Sequence, residues 1–204
     1  MHLRFLASAL VFALTLAAAS PASAQADPSA ARALEISAFG GLTGTYTGLS
    51  GGKNLGLTAG LDLGLRSYYS FRPFLEGRGT FPIDGGHIDS QKSALGGLRV
   101  DHAFFLPGLR AYGDILIGRG EIKYENGGYP SLDRNFLYTR SVGNVLSPGV
   151  GLEYRLTSGF SALADVQFQH WTTPVTPSGS LWAKPMTVGV RYRFNFNRRG
   201  YPTR

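Results

Sequence analysis

The chain has 204 residues, with 20 Lys plus Arg against 13 Asp plus Glu for a net charge of +7, 28 Gly, 11 Pro and no Cys. That length allows one domain or at most two small ones, and the lack of Cys excludes a disulfide scaffold, a thiolate metal site and a Cys nucleophile. A hydrophobic share of 43% excludes a disordered chain, while 16% charged residues and abundant Gly are unlike a helical bundle.

Taken in chain order, Met1 to Ala26 opens with Arg4, continues as an apolar run from Phe5 to Ala19, and closes on Ser20-Pro21-Ala22-Ser23-Ala24. This is the layout of a secretory signal peptide with an A-x-A cleavage site. The apolar run is too short for a membrane-spanning helix, which needs about 20 residues. Cleavage after Ala24 is therefore expected, leaving 180 residues (204 less 24) with one basic side chain fewer and a net charge of +6. Residues 25–32 read as a short tail, 33–196 as the folded body and 197–204 as a second tail.

The body alternates apolar and polar residues with a period of two, the mark of strands between two environments. Eight segments carry it: 33–46, 54–67, 71–83, 91–103, 109–123, 144–156, 159–172 and 183–196. The clearest is the last, where Met186, Val188, Val190, Tyr192, Phe194 and Phe196 alternate with Thr187, Gly189, Arg191, Arg193 and Asn195. Links between segments alternate short and long, with the longest at Tyr124 to Gly143. An antiparallel up-and-down β-barrel in the outer membrane has this asymmetry, with tight turns on the periplasmic side and long loops outside.

Period two alone does not say whether the apolar face meets a core or lipid; the polar face decides. It holds Glu35, Asp62, Glu76, Asp101, Asp114, Glu153 and Asp165 against Arg66, Arg72, Arg78, Arg99, Arg110, Arg155, Arg191 and Arg193, with no Lys. A solvated face favours flexible Lys and Glu, whereas an enclosed lumen needs charges that pair fully, which the planar Arg fork does better. These residues form the expected lumen charge network, with Glu35 pairing to Arg191 or Arg193 across the seam between first and last strands. Above it, Thr43, Thr58, Gly60, Thr80, Ser93, Gly97, Gly118, Gly149, Gln167, Gln169 and Gly189 predict a small polar vestibule open to the outside. Aromatics gather near segment ends as two girdles: Tyr68, Tyr69, Phe71, Tyr154, Phe160, Tyr192, Phe194 and Phe196 at one rim, Tyr46, Phe81, Trp171 and Trp182 at the other.

With these patterns the chain resembles the small eight-stranded outer-membrane barrels of the OmpA-like and opacity-protein kind. In the last strand, Thr187, Gly189, Tyr192 and Phe194 look like that family's assembly signal, although Asn197 to Arg204 follow the final aromatic. The resemblance implies outer-membrane localisation in a double-membraned bacterium. It also implies periplasmic chaperones and the barrel-assembly machinery as partners in biogenesis, contact with outer-membrane lipid and lipopolysaccharide, and a monomer. The peptidoglycan-binding domain of longer members is missing, so wall anchoring is not implied.

No catalytic, cofactor or metal site is expected, and no nucleic-acid partner. His87, His102 and His170 lack metal-ligand spacing, and neither G-x-x-x-x-G-K-[ST] nor G-x-G-x-x-G occurs. Much of the net charge sits on Arg198, Arg199 and Arg204, which leaves no basic stripe for nucleic acid. Some small barrels are lipid A deacylases with an outward His-x-Ser pair. Here His170 is followed by Thr172 rather than Ser, and Lys184 stands where an acid is wanted. A structural or surface-binding role therefore leads, with loops as the contact surface; a narrow channel for small solutes or ions is the alternative.

Overall fold

A computed structural model describes residues 35–65, 70–84, 86–103, 106–131, 133 and 135–194. The expected signal peptide and both expected tails, with Arg66, Tyr68, Tyr69 and Phe196, lie outside the described residues.

Eight antiparallel strands close into a barrel. They are β1 Ile36–Tyr46, β2 Lys53–Gly64, β3 Phe71–Asp84, β4 Asp89–Ala103, β5 Leu109–Tyr124, β6 Arg140–Arg155, β7 in two pieces (Phe160–Gln167 and Gln169–Thr172) and β8 Ser180–Phe194. Each strand pairs with its chain neighbours, and β1 closes on β8 from Ile36↔Phe194 to Tyr46↔Lys184. Both ends of the barrel sequence therefore sit at one rim, the terminal end; the long connections sit at the other, the loop end.

The break in β7 has a covalent cause. In the continuing registers, Phe168 faces Pro148 on β6 and Gln167 faces Pro185 on β8. Neither proline has an N–H to give to the ladder. The Phe168 amide still donates to the Pro148 carbonyl at 2.8 Å, so the inward and outward alternation runs through the break unchanged.

Strands run further at the loop end than period two implies. β6 begins at Arg140 rather than near 144, because Lys123↔Arg140 extends its pairing with β5. The long link also holds a small ribbon, Tyr129–Pro130 with Leu137–Tyr138, led into by Asn126, Gly127 and Gly128, all at positive φ.

The faces are inverted relative to a soluble barrel. Outside, Val188 is 69% exposed, with Ile115, Ile117, Leu61 and Val150 comparably bare, while Arg99 and Arg191 inside are each 1% exposed. An unbroken exposed apolar wall is stable against lipid and a liability in water.

Candidate functional site

The lumen at the terminal end is a network of buried charge. Glu153 on β6 accepts from Arg99 at 3.1 Å, from Arg191 at 2.5 Å and from Arg193. Asp62 on β2 binds Arg191 at 2.9 Å and Arg99 at 3.6 Å, and takes a hydrogen bond from the Ser37 hydroxyl. Asp101 sits 2.7 Å from the Arg99 Nε. Above these, Arg78 spans Glu76 at 2.8 Å and Asp165 at 3.1 Å, while Asp114 accepts from the Gln167 amide. Glu35, at the rim, pairs with Arg72 and lies 3.6 Å from Arg193 across the β1–β8 seam.

Two residues assigned to this network from the sequence do not join it. Arg155 occupies the last position of β6 and is exposed, and Arg110 is half-buried; neither makes an ion pair among the described residues. Both lie in the last rows at the terminal rim; Arg110 stands opposite Glu153, whose carboxylate is already taken by Arg99, Arg191 and Arg193.

Three aromatic rings complete the layer, and the sequence reading missed them. Arg99 lies 3.9 Å above the Tyr112 ring and 5.5 Å from that of Phe74. Arg191 and Arg78 both stand over the Phe39 ring, at 5.0 and 5.3 Å from its centre. The Tyr112 hydroxyl donates to Asp165 at 3.1 Å. Weakly hydrated guanidinium faces are matched to π-clouds as well as to carboxylates. Parity alone marks these rings: Phe39 is in step with Glu35, Phe74 lies between Arg72 and Glu76, and Tyr112 lies between Arg110 and Asp114.

The loop half corrects the expected open vestibule. Thr43, Thr58, Thr80 and Thr187 do line the wall, linked hydroxyl to hydroxyl at 2.6 to 3.0 Å. Beyond them the bore is filled by Leu95, Leu116, Ile122, Val145, Trp171, Leu181 and Ala183, with Leu49 and Val175 folded in from the loops. Those loops are pinned: Thr47 donates to Asp89 at 2.8 Å, and Thr173 bonds the hydroxyls of Tyr124 and Ser141. Glycines on the inward face leave room that large side chains of other strands occupy, as Gly60 does for Phe39, Gly149 for Gln167 and Gly120 for Trp171.

Trp171 is a second correction. It is 1% exposed and lies inside the barrel, so it belongs to no girdle. Its indole N–H donates to Gln169 at 3.1 Å, and its ring lies against Gly120, where a Cβ would stand 2.2 Å away. It shares parity with Asp165, Gln167 and Gln169, and that decides its side. Among the other girdle residues described, Tyr46, Phe81 and Trp182 face outward near the loop end, and Phe71, Tyr154, Phe160, Tyr192 and Phe194 do so at the terminal end. Of the assembly-signal residues, Tyr192 and Phe194 pack edge to face at 5.0 Å on the outer wall, while Thr187 and Gly189 face inward on the same strand.

The histidines are dispersed. His102 stacks on Phe71 at 4.8 Å, His170 packs against Trp182 at 4.9 Å on the outer wall, and the His87 carbonyl accepts from Asn126. Among the described residues, no group of three His, Asp or Glu is placed to hold a metal ion.

No curated protein matches the chain by sequence. Among solved structures it is similar to Neisserial surface protein A (NspA), with 14% identity over 79% of this chain and 97% of that one and a TM-score of 0.50. It is also similar to Ail, the attachment invasion locus protein of Yersinia pestis, with 13% identity over 80% of this chain and 100% of that one and a TM-score of 0.48. At 14% identity the likeness to NspA is one of fold. The sequence itself matches the outer membrane protein beta-barrel domain over residues 7–194, and with the closed, inside-out barrel described above, the chain belongs to that family of outer-membrane barrels.

Proposed function

We propose that this protein is a non-conducting outer-membrane barrel that works through its loop end, as a surface-binding or structural component. One observation supports the reading: the lumen holds a network of paired charges in one half and a buried apolar cluster under pinned loops in the other. Eight strands leave a bore only wide enough for side chains, so the variable surface is the loops. The ribbon between β5 and β6 supports this, since Phe136 is 55% and Leu137 59% exposed at its tip, beyond the strand ends. In this reading the signal peptide is cleaved after Ala24, both chain ends lie in the periplasm, and the barrel is monomeric. Residues Thr187, Gly189, Tyr192 and Phe194 are read by the assembly machinery.

Planar-bilayer recording of the purified protein tests the reading. Silence is expected at all voltages; steady single-channel steps would overturn it in favour of a narrow channel. An epitope inserted at Gly127 should be labelled on intact cells. Labelling only after permeabilisation would invert the topology.

A further inference from the structure

The lumen mouth at the terminal end holds more positive charge than its acids balance. Its last inward positions carry Arg72 on β3, Arg110 on β5, Arg155 on β6 and Arg193 on β8. Two described carboxylates stand among them. Glu35 is shared by Arg72 and Arg193, and Glu153 is engaged by Arg193 and, from the layer behind, by Arg99 and Arg191. Asp101, opposite Arg72 in the β3–β4 register, lies 2.7 Å from the Arg99 Nε. With Asp62 behind it, the terminal half sets six arginines against four acids among the described residues.

Arg110 and Arg155 are the surplus. Arg110 faces Glu153 directly across the β5–β6 register, and Arg155 follows Glu153 two residues later on the same face. The charges that act on Arg110 most strongly are Arg193, Glu153, Arg155 and Arg72, three cations against one acid. Strands hold the four guanidiniums of the rim around one narrow bore, so an anion between them relieves their repulsion.

The groups themselves define the anion. Every cation of the rim is Arg, whose planar fork takes two oxygens of a phosphate at once, which a point charge does not. The surplus of two charges matches a dianion. Arg155 is exposed and Arg72 and Arg110 are half-buried, so water reaches the forks. Because these positions face inward, a ligand reaches them along the bore and not from the lipid around the wall.

We propose that this mouth binds a dissolved phosphate monoester dianion, gripped by Arg110 and Arg155, with Arg72 and Arg193 divided between the ligand and Glu35. Glu35 is then a competitor of the ligand as well as a structural partner. Which compartment supplies the ligand depends on the topology proposed above. The site and its binding test in detergent do not, and a conducting barrel would leave them intact.

The full chain is folded in a non-ionic detergent, checked by heat-modifiable gel migration, and titrated calorimetrically at fixed ionic strength. The probes are glycerol 3-phosphate, inorganic phosphate, the diester glycerophosphoglycerol, succinate and dihexanoyl phosphatidylglycerol. Saturable one-to-one binding is expected for the first two, with weaker binding of the diester, of succinate and of the lipid. Arg110→Gln should weaken glycerol 3-phosphate binding roughly tenfold, as for loss of one charge-assisted contact. Arg110→Gln with Arg155→Gln should weaken it further, and Arg110→Lys should restore part of the loss. Glu35→Gln should tighten binding by freeing Arg72 and Arg193, a change of sign that a purely structural role does not produce. Lys53→Gln with Lys123→Gln removes the same charge at the loop end and should change nothing. Unaltered binding in the double arginine variant would overturn the proposal, as would weaker binding in Glu35→Gln or an equal loss in the lysine variant. Succinate binding as tightly as glycerol 3-phosphate would overturn the choice of phosphate, and the lipid binding more tightly would make the leaflet the source of the ligand and overturn entry along the bore.

Discussion

Replacing Glu153 by Gln keeps the volume of the side chain and removes one buried negative charge that three arginines share. Loss of one partner from a buried ion pair costs about 3–5 kcal/mol, because the remaining charge stays enclosed without compensation. Here the residual pairing sets where in that range the cost falls. Arg99 keeps Asp101 at 2.7 Å and Asp62 at 3.6 Å, Arg191 keeps Asp62 at 2.9 Å, and Arg193 keeps only Glu35 at 3.6 Å. Since every guanidinium retains an acid, the cost lies near the lower end, about 3 kcal/mol. With a urea slope of about 2 kcal/mol per molar, the unfolding midpoint should fall by about 1.5 M. The assay is urea titration of the barrel in phospholipid vesicles, read as the fraction that keeps its compact mobility on an unboiled gel. Glu35→Gln provides the contrast. The side chains of Glu35 and Arg72 are 23% and 37% exposed, so water screens that pair and its loss should cost about 1 kcal/mol or less. A Glu153→Gln midpoint equal to that of the unmutated protein, or a Glu35→Gln shift as large, would refute the assignment of Glu153 as the centre of the network.

Tyr112→Phe removes the hydroxyl that donates to Asp165 while leaving the ring under Arg99; a loss of about 1–2 kcal/mol is expected in the same titration. Gly120→Ala places a methyl 2.2 Å from the Trp171 ring and should destabilise by about 1–3 kcal/mol through overpacking, whereas Gly77→Ala, which meets nothing within 4 Å, should not. Tyr192→Ala with Phe194→Ala should lower the amount inserted into the outer membrane, measured by fractionation and gel shift; normal insertion would remove the assembly role of that strand.

Alternation made the barrel legible because each strand divides lipid from lumen, and a period of two records that division directly, as in Val188 outside and Thr187 inside. The same parity carried the rings at Phe39, Phe74 and Tyr112, but an aromatic near a membrane interface and one inside a lumen look alike unless parity is followed strictly; Trp171 shows the cost of reading position along the strand first. The apolar plug was less accessible for another reason. Leu116 and Leu181 sit on the inward face among glycines, and whether such a mixture is hollow or filled depends on which side chains meet across the bore, a matter of stagger between distant strands. The folding-in of Leu49 and Val175 depends on loop hydrogen bonds such as Thr47 to Asp89, which carry no periodic signal.

The two tryptophans stand at nearly the same height on opposite sides of one wall: Trp171 pairs with Leu181, and the adjacent Trp182 pairs with His170. They are the chain's only indoles, so its intrinsic fluorescence has two separable sources. Brominated acyl chains should quench Trp182 as soon as the wall meets lipid, while Trp171 should escape quenching once the bore is sealed around it. In refolding into bilayers, the quenched fraction would follow adsorption and the unquenched, blue-shifted fraction would follow closure. The order in which the membrane is entered and the interior becomes dry is thus recorded without an added label.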